Sequence, residues 1–224
     1  MKTANGKTEP KNRIAEASAP VARRFEIKPL SIARMTFAIR GTSPLLVQAF
    51  SKKAKDEMVE AQTSTKAKPK KRPQRQIKAE IEAAKIVDVK GKPCVPAMWI
   101  KCAIVNAAMR YYEVRSSFLK GVVRVCGDTT ERISGDEAIP LRFKKEGVDE
   151  RVVRLQDMRR TAYVRYRPVY FDWALDVTIE WDQSAIDADA LVEFVRRAGF
   201  SIGLGEYRIE KGGNFGGFAV EIGK

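Results

Sequence analysis

Three clusters of side chains in this 224-residue chain are suited to gripping an anion. The first is Arg159-Arg160-Thr161-Ala162-Tyr163-Val164-Arg165-Tyr166-Arg167, which mixes cations with aromatic rings. If it is a strand, Tyr163, Arg165 and Arg167 share one face, because successive side chains point to opposite sides. A guanidinium fork binds phosphate oxygens in pairs, and a tyrosine ring offers a surface for a stacked base. The same residues also fit a solvated strand whose arginines pair with local carboxylates. The second cluster is the run from Gly203 to Phe218, with glycine at 203, 205, 212, 213, 216 and 217 and with Arg208 and Lys211 between them. Glycine reaches positive φ and admits another chain close to its backbone, whose N–H groups then cradle phosphates. A structural hairpin turn has the same composition. The run is not a Walker A loop, since it holds no Gly-Lys-Ser/Thr. It also lacks the strand–turn–helix setting and paired acid of a dinucleotide fingerprint.

The third cluster is the densest. Between Ser51 and Lys78 lie Lys52, Lys53, Lys55, Lys66, Lys68, Lys70, Lys71, Arg72, Arg75 and Lys78, opposed only by Asp56, Glu57 and Glu60. Pro69 and Pro73 interrupt any helix there, so the stretch is expected to be a mobile basic loop or lobe inserted at 51–78. It supplies about half of a net charge of +14 (42 Lys plus Arg against 28 Asp plus Glu). Such an excess attracts polyanions through counterion release and long-range fields. A solvated linker is the plain alternative.

Other chemistry is poorly provided for. The chain has no histidine, which removes the commonest acid/base near neutral pH together with Ser-His and Cys-His pairs and histidine metal sites. Asp187 and Asp189 stand at a helix start, where capping and dipole effects account for them. Cys94, Cys102 and Cys126 have no metal-like spacing and read as reduced cytoplasmic thiols. No stretch has the length of a membrane span, and the charged N-terminus lacks the apolar core of a secretory signal. No catalytic residue, metal site or cofactor is expected.

The elements that must hold these clusters follow from periodicity. Residues 1–30 lack period and read as a flexible arm, leaving one domain over 31–224. Met35, Phe37 and Ile39 alternate as in a strand, and a turn follows at Gly41–Pro44. A helix is expected over Ile77–Ile86. Another follows Pro96, with Met98, Cys102, Val105, Met109 and Tyr112 at helical spacing as its buried stripe. Short strands and loops fill 116–153. Tyr163–Phe171 reads as a strand, and Leu175, Val177 and Ile179 alternate cleanly in the next. A helix capped by a Ser184/Asp187 box buries Leu191, Phe194, Val195 and Ala198 and stops at Gly199. Phe218, Val220 and Ile222 form a closing strand. Trp173 and Trp181 read as core. The order strand, helix, strands, helix, strand is that of an α+β, ferredoxin-like split βαβ unit.

Three segments in this order resemble the RAMP superfamily, the RNA-binding subunits of CRISPR effector complexes. Ile39-Arg-Gly-Thr-Ser-Pro44-Leu-Leu resembles the family's first strand and turn. Cys94-Val-Pro-Ala-Met-Trp-Ile-Lys101 resembles its Pro-x-x-x-Leu/Ile-Lys-Gly helix start, with Cys102 where glycine is usual. Phe200–Arg208 and Phe215–Phe218 resemble its C-terminal glycine-rich loop and last strand. The resemblance implies an RRM-related fold whose basic lobe (Lys52–Lys78) and glycine-rich loop (Gly203–Gly217) hold a nucleic-acid backbone, and it brings Lys101 into the binding set. It further implies copies repeated along a guide RNA, as a homo-oligomer and with other effector subunits. The expectation is therefore a non-catalytic, cytoplasmic binder of single-stranded nucleic acid, with guide-type RNA favoured and no membrane partner. A histidine-free ribonuclease of the same fold and a stand-alone single-stranded DNA-binding protein remain the alternatives.

Overall fold

The computed structural model describes residues 29–49, 59, 76–127, 132–133, 136–154 and 162–221. The arm expected over 1–30 and the basic insertion 51–78 lie almost wholly outside the described residues. In chain order the elements are β1 (Ile32–Gly41), β2 (Leu45–Leu46), α1 (Ile77–Ala84), β3 (Cys94–Pro96), α2 (Ala97–Tyr112), α3 (Ser116–Val122) and β4 (Val123–Cys126). They continue with β5 (Arg132–Ile133), β6 (Asp136–Pro140), β7 (Lys145–Arg154), β8 (Ala162–Phe171), β9 (Ala174–Asp182), α4 (Ala188–Arg197) and β10 (Phe218–Glu221).

The alternation in β1 decides the architecture. Phe37 and Ile39 face inward and are buried, while Arg34, Thr36 and Arg40 face outward. Leu175, Val177, Ile179 and Trp181 do the same in β9, which lies beside β1 with Phe37 opposite Val177 and Ile39 opposite Leu175. With β10 and β4 on the flanks, the sheet runs β10-β1-β9-β4 and every neighbouring pair is antiparallel. The fold is thus α+β. β1 and β4 run parallel with β9 between them, and β9 and β10 run parallel with β1 between them. One face of the sheet is covered by α2 and α4: Ile100, Ile104, Leu191, Phe194 and Val195 join the inward strand residues in a single core cluster. Each such side chain contributes about 1.5–3 kcal/mol when fully buried. No helix among the described residues is long and apolar enough to cross a membrane.

Two smaller sheets are added in the connections. The order β3-β6-β5 closes one end, and β2-β8-β7 holds a long hairpin in which ten residues of β7 face ten of β8. Trp173 and Trp181 are core residues, as expected, and each indole finds a carbonyl: Nε1 donates to Ser43 O at 2.7 Å and to Ile186 O at 3.0 Å respectively.

Three sequence expectations are corrected. The buried stripe of α2 is Ile100, Ala103, Ile104, Ala107 and Ala108, while Met98 (51%) and Met109 (41%) are exposed, as are Cys102 and Tyr112. Of the expected stripe only Val105 is buried. Both stripes have helical spacing, but the alanine-lined one lets the helix axis approach the sheet. The cap of α4 is Asp187, whose Oδ1 accepts the Ala190 N–H at 2.7 Å, while Ser184 donates to Asp182 in the preceding turn. The helix also does not stop at Gly199. It widens into a π turn over Ala198–Ile202 and ends at Gly203, with φ +74°.

The stripe correction sets an expectation. Ile104→Ala destabilises the fold by about 2–5 kcal/mol through a core cavity, and Met98→Ala stays within about 0.5 kcal/mol. Urea unfolding of the two variants checks both values.

Candidate nucleic-acid interface

The β7–β8 hairpin supplies the first wall of the site. Its register sets Val153 opposite Tyr163, Arg151 opposite Arg165 and Asp149 opposite Arg167. Directly opposed residues project to the same face, so Tyr163, Arg165 and Arg167 share a face with Arg151. The expected strand and its three-residue face are present. The burial is unexpected: Arg167 is only 2% exposed.

The glycine-rich run folds back onto this hairpin. The ring of Tyr207 lies close to two guanidinium groups, its centroid 4.8 Å from Arg167 Cζ and 4.7 Å from Arg151 Cζ. Phe215 adds a second ring 5.3 Å from Arg151. Arg151 is also paired to Asp149, Nη2 to Oδ1 at 2.9 Å. Arg167 Nε donates to Gln48 Oε1 at 3.2 Å, and its Nη1 has no hydrogen-bond partner among the described residues. A buried cation needs partners in place of water, and for Arg167 the Tyr207 ring face and the Gln48 amide oxygen supply part of that. Tyr207 sits at φ +46°, a left-handed conformation that costs about 1–2 kcal/mol for a non-glycine residue.

Gly213 permits this geometry by its lack of a side chain. A Cβ there would lie 1.7 Å from the Tyr207 carbonyl oxygen. Gly212 differs, with φ +78° and open space around it. Gly203 ends the π turn, and Gly205 packs over β2, where a Cβ would meet Leu46 O at 2.3 Å. The loop is thereby pinned between β2 and the hairpin. Lys211 is exposed at its tip.

Two expected contacts are otherwise engaged. Arg208 pairs with Glu210, Nη2 to Oε2 at 2.7 Å, and Arg110 takes the other oxygen, also at 2.7 Å. The Glu210 side chain is only 4% exposed, so this carboxylate ties the loop to α2. Lys101 lies apart from the loop: its Nζ donates to Lys120 O at 3.0 Å and joins α2 to α3. Lys52, Lys53, Lys55, Lys70, Lys71, Arg72 and Arg75, with Arg159 and Arg160, lie outside the described residues.

The outer face of the four-stranded sheet carries arginines as well, but each is answered. Arg34 binds Glu180, Arg40 lies 2.7 Å from Glu221, Arg142 binds Asp176 and Arg124 approaches Glu137 at 4.0 Å. The hydrogen bonds from Arg142 and Arg34 hold the Asp176 and Glu180 carboxyls below their usual range. Thr36 and Thr178 are hydrogen-bonded across the same face, which has no aromatic ring among β1, β4, β9 and β10. It is a neutral ladder rather than a basic platform. Burial pushes the Cys94 thiol and the Tyr170 phenol up to about 12, so neither ionises near neutral pH. No group of three or more Cys, Asp or Glu among the described residues is placed to hold a metal ion.

The sequence reading missed Arg151, Tyr207, Phe215 and Glu210. The two rings were visible inside the glycine run, but Arg151 is recruited through strand register, which periodicity does not fix.

No protein-family model matches this chain, and no curated protein matches it. Among solved structures, the crystal structure of Cmr6 from Pyrococcus furiosus is similar at 9% identity, with 86% of this chain and all of that chain covered and a TM-score of 0.40. A likeness of that size fixes neither fold nor function.

The loop geometry separates two neighbouring glycines. Gly212→Ala adds only the left-handed penalty of about 1–2 kcal/mol. Gly213→Ala must displace the Tyr207 backbone, whose carbonyl oxygen would lie 1.7 Å from the new Cβ, and destabilises the fold by more than that. Thermal melts of the two variants check the order.

Proposed function

We propose that this chain binds the backbone of a single-stranded nucleic acid, RNA in preference to DNA, without cleaving it. The strand lies along the base of the β7–β8 hairpin and across the glycine-rich loop. Copies repeat along one strand in a cytoplasmic ribonucleoprotein of the CRISPR effector type. The observation that carries the reading is the Tyr207 clamp: Arg151 and Arg167 lock the hairpin to the loop, so that two anion-suited elements form one surface. Tyr163 and Arg165 extend the same face along β8 away from Arg167. Arg165 has no ion pair among the described residues and is available to phosphate. Arg167 acts from beneath by fixing Tyr207.

The neutral outer sheet face supports the same placement by offering no net charge to a polyanion. A ferredoxin-like core of the RAMP type is supported by the strand order: taking β1, β4, β9 and β10 as first to fourth, the sheet reads 4-1-3-2, the order of a split βαβ unit. The lysine-rich insertion would add a basic lobe, and Gly203, Gly205, Gly212 and Gly213, with Lys211, would offer backbone and charge to phosphates. Non-cleavage rests on the missing histidine, and the preference for RNA on the family resemblance.

Fluorescence anisotropy with labelled single strands across a salt series tests this reading. The logarithm of affinity should fall against the logarithm of salt by about 0.7 for each phosphate contacted. Arg165→Ala should lower the slope by about one contact. Replacing Lys70, Lys71, Arg72 and Arg75 with glutamine should weaken binding without shifting the melt. Salt-independent binding, or RNA cleaved by the purified chain, contradicts the reading.

A further inference from the structure

Asn214 and Phe215 serve different sides of the glycine-rich loop. Phe215 meets Arg151 on the hairpin, while Asn214 lines a cleft of about 480 Å³ between the loop, the β1–β2 turn and the end of α4. Ile209, Phe218 and Val220 form its apolar wall, and Thr42 and Ser43 bring hydroxyls. Ser43 Oγ already accepts the Gly217 N–H at 2.9 Å, which leaves its own O–H to donate. Two rim residues are unusual. Phe200 is the most exposed large apolar side chain described, at 76%. It stands on the π turn between buried Gly199 and a turn end anchored by buried Ile202, so its ring is presented by packed backbone rather than by a frayed end. Arg196 has no ion pair among the described residues, whereas its neighbour Arg197 stacks on Tyr111 at 5.0 Å.

A cleft of this size is within the range of small-ligand sites. Its chemistry is an open aromatic face, an amide and hydroxyls at the edge, and an unpaired guanidinium at the rim. That set matches a flat heterocycle attached to an anion better than it matches an aliphatic ligand. We propose that this cleft takes one unstacked nucleobase of the bound strand. Its ring lies on Phe200, its edge meets Asn214 and the Thr42 and Ser43 hydroxyls, and its phosphate meets Arg196. This rests on the single-strand reading above and adds a base contact to a surface otherwise addressed to the backbone. The net charge of +14 favours the nucleotide over an uncharged peptide as occupant.

The test uses the full chain and single strands carrying 2-aminopurine at successive positions. One position per repeat should lose fluorescence on binding, and Phe200→Ala should abolish that quenching. Phe200→Ala should also weaken the complex about 5- to 150-fold at an unchanged salt slope. Arg196→Gln should weaken it and lower the slope. Quenching and affinity unaltered in Phe200→Ala overturn the cleft while leaving backbone binding intact. Tighter Phe200-dependent binding of an acidic aromatic peptide than of the strand also overturns it. Failure of the unmodified chain to bind any strand overturns both readings.

Discussion

A permanently charged guanidinium sits 2% exposed in a chain that already carries +14, and the arrangement of the binding surface depends on how that charge is tolerated. Arginine does not escape burial by losing its proton. Arg167 has no carboxylate in salt-bridge range among the described residues; its neighbours are the Tyr207 ring face and the Gln48 amide oxygen. Those two neighbours come from distant parts of the chain, so Arg167 on the hairpin touches both the segment after β2 and the glycine-rich loop. Tyr207 sits there in a left-handed conformation, and its carbonyl oxygen leaves no room for a side chain at Gly213. An uncompensated buried charge would cost several kcal/mol, so losing any one neighbour strains the rest.

The distribution of charge follows from this division of labour. The four-stranded sheet pairs its outward Arg34 and Arg40 with acids on neighbouring strands, and Arg142 beside it with Asp176, which stabilises register and cancels charge. The hairpin and loop also set arginines against rings: Arg151 pairs with Asp149 and Arg208 with Glu210, while Arg165 and Arg167 have no ion pair among the described residues. On the far side of the loop, the cleft is lined by both the Phe200 ring and Arg196.

Much of the scaffold was legible in the sequence. The alternation of Met35, Phe37 and Ile39 and of Leu175, Val177 and Ile179 identified the central strands, because one face of an antiparallel sheet is dry and the other wet. Leu191, Phe194 and Val195 marked the face of α4 correctly. In α2 the larger Met98 and Met109 outweighed Ala103, Ala107 and Ala108, although close approach to a sheet favours the small residues. The basic strand and the glycine run were each recognisable as elements. Their meeting through Tyr207 was not, because it depends on hairpin register and on a contact between segments remote in sequence. The ion pair of Arg208 with Glu210, which Arg110 shares, is likewise invisible to periodicity, because it depends on how the loop meets α2.

Placement of the strand on the hairpin and loop, rather than on the open sheet face, is the central claim. Photo-cross-linking of a bound single strand carrying 4-thiouridine, followed by mass spectrometry of the linked peptides, measures it directly. Cross-links should fall on Tyr163–Arg167 and on Phe200–Phe215. Cross-links confined to the outward residues of β1, β4 and β9, such as Arg34, Arg124 and Thr178, would contradict it.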